Sequence, residues 1–394
     1  MAKKHFLSFL IVVLLSLGAY SQISISTKEQ FLAIQQNPSG SYIQTANIEL
    51  ENFTQTKAII QNFSGTYDGG GYSITYNADF NANTDNVALG LFGTVSGTIQ
   101  NLNITSSSLT AEGNNSARIG LLCGYLDGQK ALIINCHITS GTINSTSFTT
   151  ALSARVSTGL LVGHVNNSTV KYCSASSSVS AFGYAGGLIG RAEKAKILGC
   201  SFTGSVTAVY DEDNIIGGIL GSLAGSGRGA YAGGIVGNAD NDTEINLCYV
   251  KANITADDEA NGIASGNKKP YIGGSTASPN VTNCYGQGTV DGQPITNDNL
   301  TNSSGSTSGS VAGSSNPSNP CETNQPVVTN LNRNNTDPNI LFALDAGCNV
   351  IMLINEVSSA CESPTSLTIS KDNKTITASW TSADANKTIS ENKW

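Results

Sequence analysis

Charged and aromatic residues are scarce in this chain. Only 12% of its 394 residues are Asp, Glu, Lys or Arg, and only 7% are Phe, Trp or Tyr. Gly, Ser, Thr and Asn must therefore cover most of the surface, a composition that favours turn-rich β structure over helices. The net charge of −8 also argues against a nucleic-acid partner, because nucleic-acid binders present basic patches to the phosphate backbone.

Long apolar runs are lacking except near the first residue. Residues 1–21 combine two lysines, an apolar run over residues 6–17 and small residues before Gln22, which is the pattern of a secretory signal peptide. The run is shorter than the ~20 residues of a membrane-spanning helix. We therefore expect an exported protein, secreted or held at the cell surface, that does not insert into a membrane after cleavage. Removal of the leader leaves 18 basic and 28 acidic residues, a balance that disfavours docking on anionic lipid.

Histidine is nearly missing as well. Of three histidines, only His137 and His164 lie outside the leader, and neither begins a His-x-x-x-His metal motif. The sequence has no HExxH motif and no G-x-S-x-G elbow, so neither a zinc peptidase nor a serine hydrolase is expected. We accordingly predict no catalytic residue, no metal ligand, no cofactor-binding residue and no cofactor.

Glycine, in contrast, is abundant, with 42 residues, and much of it lies in a repeated step. In each copy, a glycine or another small residue leads into two or three apolar residues and a final glycine. The final glycines of successive copies are 31, 39, 27, 31 and 16 residues apart. The copies are LGLFG (89–93), GLLCG (120–124), GLLVG (159–163), GGLIG (186–190), GGILG (217–221) and GGIVG (233–237).

A second repeated step places Ile or Val three residues before a cysteine. Its first copy, TIQNL at 98–102, has leucine in place of the cysteine. Such periods mark solenoids, whose units bury their apolar residues only by stacking on one another. We predict an all-β parallel β-helix with three short strands per unit and about seven or eight coils within residues 40–295. The five cysteine copies end at Cys136, Cys173, Cys200, Cys248 and Cys284.

The N-terminal end of such a solenoid needs a cover, and residues 27–36 are the one convincing helix. Ser26 and Glu29 fit a capping box at its start. SYIQTANIEL at 41–50 then alternates like a single strand, and FSGTYDGGGYSI at 63–74 indicates a glycine turn. The side chains of this turn that we expect to face inward are Phe63, Tyr67 and Ile74.

The composition changes after the predicted solenoid, which we place at residues 22–295 with its cap. Residues 296–320 form a Ser-, Gly- and Asn-rich linker, and residues 321–394 form a partial β-rich domain. Two alternating strands in this tail flank a Lys-Asp-Asn-Lys turn, and the chain ends fourteen residues after Trp380, too soon to close a sandwich. Three further cysteines lie in the tail, and the sequence leaves their pairing open: Cys321, Cys348 and Cys361.

The glycine step followed by [IV]-x-x-C resembles the GLUG motif family over roughly residues 25–295. The resemblance implies a β-helical module of exported bacterial surface proteins, among them adhesin-like proteins and IgA-cleaving metallopeptidases. It implies no catalytic residue, because the repeats are not the peptidase. The Pro364–Trp380 pattern is similar to the first two strands of a fibronectin type III domain.

Three groups of residues are candidates for binding chemistry. The repeat cysteines are metal ligands, disulfides or a buried ladder of free thiols, and we favour the ladder because no CxxC pair occurs. The acidic loops Asp211–Asp213 and Asp240–Glu244 suit a polysaccharide-cleaving site or calcium, but we favour plain solvated loops. Five late tyrosines form either a sugar-stacking stripe or an ordinary β surface: Tyr210, Tyr231, Tyr249, Tyr271 and Tyr285. Tyr249 and Tyr285 directly follow repeat cysteines, so we expect them to stack on one face.

The function that these observations favour is a non-catalytic, adhesin-like binding module. Its partner is expected to be an extracellular glycan or a host or matrix protein, recognised through a repetitive surface. The alternatives are a carbohydrate-active β-helix enzyme, either a polysaccharide lyase or a hydrolase, and a structural stalk without a ligand. The sequence does not indicate an oligomeric state.

Overall fold

The computed structural model describes most of the chain between residues 22 and 295 and parts of the tail. The signal peptide predicted at residues 1–21 lies outside the described residues, and so do the GGILG step at 217–221 and the Asp211–Asp213 loop. The described ranges are 22–148, 156–209, 230–240, 242–257, 259–261, 279–295, 311–312, 325, 328–329, 331–333, 335, 337–344, 350–354, 366–371 and 376–381.

Four sheets build the β-helix, and in each sheet the strands of successive coils pair in parallel. Each sheet takes one or two strands from most of the coils. Sheet A contains Ile23–Ile25, Ser41–Gln44, Thr66–Asp68, Thr98–Gln100, Leu132–Ile134, Thr169–Lys171, Lys196–Leu198, Glu244–Asn246 and Asn280–Thr282. Sheet C contains Ile60–Phe63, Phe92–Val95, Cys123–Asp127, Val162–Asn166, Ile189–Glu193 and Val236–Ala239. Sheet D contains Val87–Leu89, Ala117–Gly120, Val156–Gly159, Tyr184–Gly186, Tyr231–Gly233 and Glu259–Asn261.

Sheet B is the largest and holds thirteen strands. Its pairing is parallel throughout, except for a short antiparallel strand at residues 293–294. The strands are Ile48–Glu49, Phe53–Gln55, Ser73–Thr75, Asn77–Ala82, Asn103–Thr105, Ser108–Gly113, His137–Phe148, Ser174–Phe182, Ser201–Val209, Tyr249–Ala256, Tyr285–Val290, Gln293–Pro294 and Val311–Ala312.

The chain visits the sheets in the order D, C, A and B and then returns to D one coil further on. We number the coils 1 to 8 by their sheet A strands from Ser41–Gln44 to Asn280–Thr282, so the upper prediction of eight coils is confirmed. The prediction of three strands per unit is wrong. The glycine-apolar step contains two strands, one in sheet D and one in sheet C, on either side of a sharp reversal such as the one at Leu121 and Leu122.

The core consists of ladders of identical positions. The Ile or Val of the [IV]-x-x-C step pairs with its equivalent in the next coil, from Ile99 and Ile133 through to Val281. Each of these side chains is at most 1% exposed. This burial confirms the parallel β-helix, because a single coil leaves such residues in water.

The final glycines of the repeated step lie where sheets C and D approach each other. A Cβ atom on Gly163 would lie 2.2 Å from the backbone nitrogen of Ile119, in the sheet D strand of the preceding coil. Gly190 stands in the same relation to Thr158, at 2.3 Å. The final glycine of the step is therefore required where the two sheets approach each other, because any residue with a Cβ atom would clash with the backbone of the other sheet.

The helix covers the N-terminal end as predicted, but its cap is one residue further on. The α-helix spans Lys28–Ala33 and continues as a 3₁₀ turn over Ile34–Gln36. The capping box joins Thr27 to Gln30 instead of Ser26 to Glu29. Phe31 is fully buried, and the Gln35 side chain accepts the backbone N–H of Gln61 at 2.7 Å on the first strand of sheet C. The helix thus supplies a hydrogen-bond acceptor to a backbone N–H at the open edge of sheet C.

The segments around the first two coils follow the expectations in part. The predicted strand at 41–50 is two strands in different sheets, because the chain turns a corner between Gln44 and Ile48. The glycine turn is confirmed, with Gly70 and Gly71 at φ +58° and +77°. Its three inward residues are buried as predicted: Phe63, Tyr67 and Ile74.

The described residues of the tail form two antiparallel strand pairs. Ile340–Leu344 pairs with Val350–Ile354, and Ser366–Lys371 pairs with Ile376–Thr381. The second pair contains the two strands predicted around the Lys-Asp-Asn-Lys turn. Within the part of the chain that the structure describes, no helix is long and apolar enough to cross a membrane.

Candidate binding surfaces

The outer face of sheet B carries mainly small uncharged polar side chains in coils 3 to 6. The alternation of the strands sends every second residue outward, and parallel stacking aligns the outward residues of successive coils in columns. In coils 3 to 6 three such columns contain only Ser, Thr or Asn. They are Thr105, Thr139, Ser176 and Thr203; Ser108, Thr142, Ser178 and Ser205; and Thr110, Asn144, Ser180 and Thr207.

We call these twelve side chains the hydroxyl face. Most of them are exposed, and the column of Thr105 continues into coil 2, where the Thr75 hydroxyl lies 3.1 Å from that of Thr105. Charged residues in these columns lie beyond coils 3 to 6, at Glu49, Asp79 and Lys251. Such a face offers many equivalent donors and acceptors at the ~4.8 Å spacing of stacked strands.

A second cluster of polar side chains is centred on His164 and joins strands of sheets C and D. The Arg118 guanidinium donates from Nε to Nδ1 of His164 at 3.3 Å and lies 4.3 Å above the Tyr125 ring. His164 Nε2 lies 3.1 Å from a Glu193 carboxylate oxygen, and Glu193 also pairs with Arg191.

These partners fix the protonation of His164. Nδ1 accepts a hydrogen bond from Arg118, so the ring proton is on Nε2 and is donated to Glu193. Burial lowers the pKa of His164, although the hydrogen bond to Glu193 opposes the shift. The imidazole is therefore neutral and acts as a bridge between two charges. The sequence pattern gives no sign of this group, since its members come from three different coils between residues 118 and 193.

The repeat cysteines form the buried ladder that we predicted. All five are free thiols that are at most 1% exposed, and Cys123 in sheet C is another. Their sulfurs contact backbone carbonyls, as Cys173 does at 3.2 Å from Lys171 O. Burial raises the pKa of Cys173 and of Cys248, so neither thiol is primed for reaction. Among the described residues, no three His, Cys, Asp or Glu side chains are grouped as a metal site.

One carboxylate of the acidic loop at 240–244 stabilises a backbone turn. Asp240 accepts the backbone N–H of Lys194, at 3.1 Å, and the Thr243 hydroxyl, at 2.7 Å. Lys194 has a left-handed backbone with φ +50°, so Asp240 stabilises a turn of the preceding coil. Asp240 thus differs from the plain solvated loop that we favoured, whereas Asp242 and Glu244 are exposed as that prediction requires.

Tyr249 and Tyr285 stack as predicted, with ring centroids 5.5 Å apart and planes 4° apart. They do not form an open sugar-stacking stripe, because they are 6% and 0% exposed. Residues of the tail cover them, among them Leu331 and Phe342. Tyr231 packs instead against Tyr184 and is 2% exposed, and Tyr210 and Tyr271 lie outside the described residues.

Comparison with known proteins agrees with this architecture. The family model of the GLUG motif matches residues 183–207, which include the Gly186–Gly190 step and Cys200. The chain therefore carries the motif that the repeats predict. Proteins with this motif are typically extracellular. No curated protein matches the chain.

The fold is similar to that of a solved structure. It is the 1.30 Å crystal structure of a candidate immunoglobulin A1 protease from Bacteroides ovatus, with a TM-score of 0.50 and 19% identity. The match covers 84% of this chain and 92% of the other. At this identity the likeness concerns the fold alone.

Proposed function

We propose that this protein is an exported, non-catalytic binding module with an adhesin-like role, and that it binds a neutral glycan through the hydroxyl face. The observation that carries the proposal is the register of the twelve Ser, Thr and Asn positions over four coils. A repetitive glycan presents hydroxyl groups at regular intervals, and an uncharged array of donors and acceptors matches them without the desolvation of ions.

The export part of the proposal rests on two observations. A signal peptide is predicted at residues 1–21, and proteins with the GLUG motif are typically extracellular. The choice of a glycan over a protein partner rests on the composition of the face. Protein interfaces are centred on aromatic and other large side chains, and the hydroxyl face has none. Binding by many small contacts makes the affinity depend on how many coils are engaged.

The first experiment is a binding screen of the full chain on an array of neutral and acidic glycans. We expect retention of neutral polymers with little dependence on salt, because no ion pairs contribute. Failure to retain any neutral glycan, or preference for acidic glycans, would overturn the proposal. Release of reducing ends from a retained glycan would overturn its non-catalytic part.

Substitutions then locate the face. The single change Thr142→Ala is expected to weaken binding by less than about twofold, and Ser176→Ala, Ser178→Ala and Ser180→Ala combined by about tenfold. The matched control is Thr98→Ala with Thr169→Ala on the outer side of sheet A, which should leave binding unchanged. Equal losses on both faces would contradict the assignment, and circular dichroism melting checks that each variant is folded.

A further inference from the structure

One corner of the β-helix changes its chemistry in two of the last four coils. The corner residue between sheets A and B is Asn101 in coil 3 and Asn135 in coil 4. It is Tyr172 in coil 5 and Leu247 in coil 7, whereas coil 6 has Gly199 and coil 8 has Asn283. Three further outward positions on this corner are also apolar or aromatic in coils 6 to 8: Leu198, Tyr249 and Tyr285. We call these five side chains the corner surface.

The backbone at this corner is unsuited to bulky residues. Tyr172 and Leu247 are in the left-handed region, with φ +57° and +53°. Asparagine and glycine tolerate that conformation best, and Asn135 and Gly199 occupy it in neighbouring coils. A tyrosine and a leucine at such positions need a compensating contact.

The contact is supplied by the tail. Val328, Leu331, Ile340 and Phe342 are each at most 6% exposed and pack in one cluster with the corner surface. Gly199 makes room for this contact, since a Cβ atom there would lie 2.4 Å from Cδ1 of Ile340.

The covering element is organised by its own hydrogen bonds. The Asn332 side chain donates to the Phe342 carbonyl and accepts the Phe342 N–H, both at 2.8 Å. Asn335 accepts the N–H of Asp337, and Asp337 accepts that of Asn339. The described residues of 325–344, which we call the tail segment, thus present a preformed apolar side to the corner.

We propose that the corner surface is a docking site for the tail segment, and that the segment acts as a clamp that couples coils 5 to 8. In a plain solenoid each coil is stabilised only by its neighbours, so an end unravels coil by coil. The tail segment contacts Tyr172 in coil 5 and Tyr285 in coil 8 within one apolar cluster. Opening any of these coils therefore breaks the same contact, which makes the four coils open together.

Hydrogen exchange on the full chain tests the clamp. Phe342→Asp should lower the protection of the sheet A strands Thr169–Lys171, Lys196–Leu198, Glu244–Asn246 and Asn280–Thr282 together, by at least about tenfold, because a charge cannot stay in the apolar cluster. The Thr66–Asp68 strand should keep its protection. Leu341→Asp is the matched control, because Leu341 is the adjacent residue and is 48% exposed. Loss confined to the last strand, loss spread evenly over all coils, or no loss would each overturn the proposal.

A second test leaves the corner and the tail segment unaltered. A protease site is inserted between residues 313 and 324 of the full chain, and the cut protein is passed over a size-exclusion column. The two pieces should elute together, and the cut Phe342→Asp protein should separate. Separation of the cut chain that carries only the insertion would overturn the proposal.

Discussion

The hydroxyl of Tyr172 donates a hydrogen bond to the Asp337 carboxylate, 165 residues further along the chain. It is a polar contact at the edge of the apolar cluster between the β-helix and the tail segment. Burial raises the pKa of Tyr172, and Asp337 adds to the shift, so the phenol keeps its proton and remains a donor.

This pair should show measurable energetic coupling. Tyr172→Phe and Asp337→Asn each remove or weaken one hydrogen bond to a charged group, and we expect a coupling free energy of about 1 kcal/mol for the half-buried pair. Urea unfolding of the two single variants and the double variant measures it. Additive losses would mean that the two residues act independently, contrary to the contact.

Close approach of sheets C and D makes Gly163 intolerant of any side chain. Gly163→Ala would place a methyl group 2.2 Å from Ile119 N, so the strands must separate, at a cost of about 3 kcal/mol in the free energy of unfolding. Thr139→Ala on the exposed side of sheet B is the control and should cost less than about 0.5 kcal/mol. Thermal melting compares the two, and equal melting temperatures would refute the steric explanation.

The repeat made the coils predictable, because stacked coils impose the same environment on equivalent residues. Ile133 and Cys136 could be assigned to the core from their copies alone. The number of strands per coil could not be predicted. The chain reverses at Leu121 and Leu122, and because both are apolar the sequence there resembles one continuous strand. The cap was misplaced by one residue because Ser26 and Thr27 are both able to cap a helix.

The candidate surfaces were less predictable than the coils. The stack of Tyr249 on Tyr285 followed from their shared position after the repeat cysteine. The burial of these two tyrosines by the tail segment could not be predicted, since the segment lies outside the repeat and its contacts are far apart in sequence. The hydroxyl face left a signal in the alternating Ser and Thr after each repeat cysteine, visible in SASSSVS at 174–180.

Burial predicts that the thiols of the β-helix are inert in the folded protein. A maleimide added to the native chain should leave the six described thiols unmodified, and addition in denaturant should modify them all, because each is at most 1% exposed in the folded protein. Peptide mapping by mass spectrometry reads each site. Rapid labelling of Cys173 in the native state, or its recovery as a disulfide, would contradict the ladder.

Acidification should destabilise the protein through His164. Its folded-state pKa is lowered by burial, so below the ordinary value of 6.5 the unfolded chain binds a proton that the folded chain does not. The contribution of His164 is therefore complete above pH 6.5 and is lost as the pH falls through its folded-state pKa. Urea unfolding between pH 7.5 and pH 5, in His164→Gln and the unmodified protein, should give a shallower decline for the variant. Parallel declines would contradict this role.

The helix at the N-terminal end should control the stability of the first coils. The Phe31 ring is fully buried, with ring centroids 5.8 Å from both Tyr67 and Phe92, so its loss opens a cavity in coils 2 and 3. We expect Phe31→Ala to cost about 4 kcal/mol in the free energy of unfolding and Thr27→Ala, which removes the cap, about 1 kcal/mol. Leu32→Ala is the control, because its partly exposed side chain leaves a smaller cavity.

Hydrogen exchange should show the loss for Phe31→Ala in Thr66–Asp68 before Glu244–Asn246, since a solenoid frays from an uncovered end. Equal loss in both strands would show that the helix stabilises the chain as a whole instead of its end.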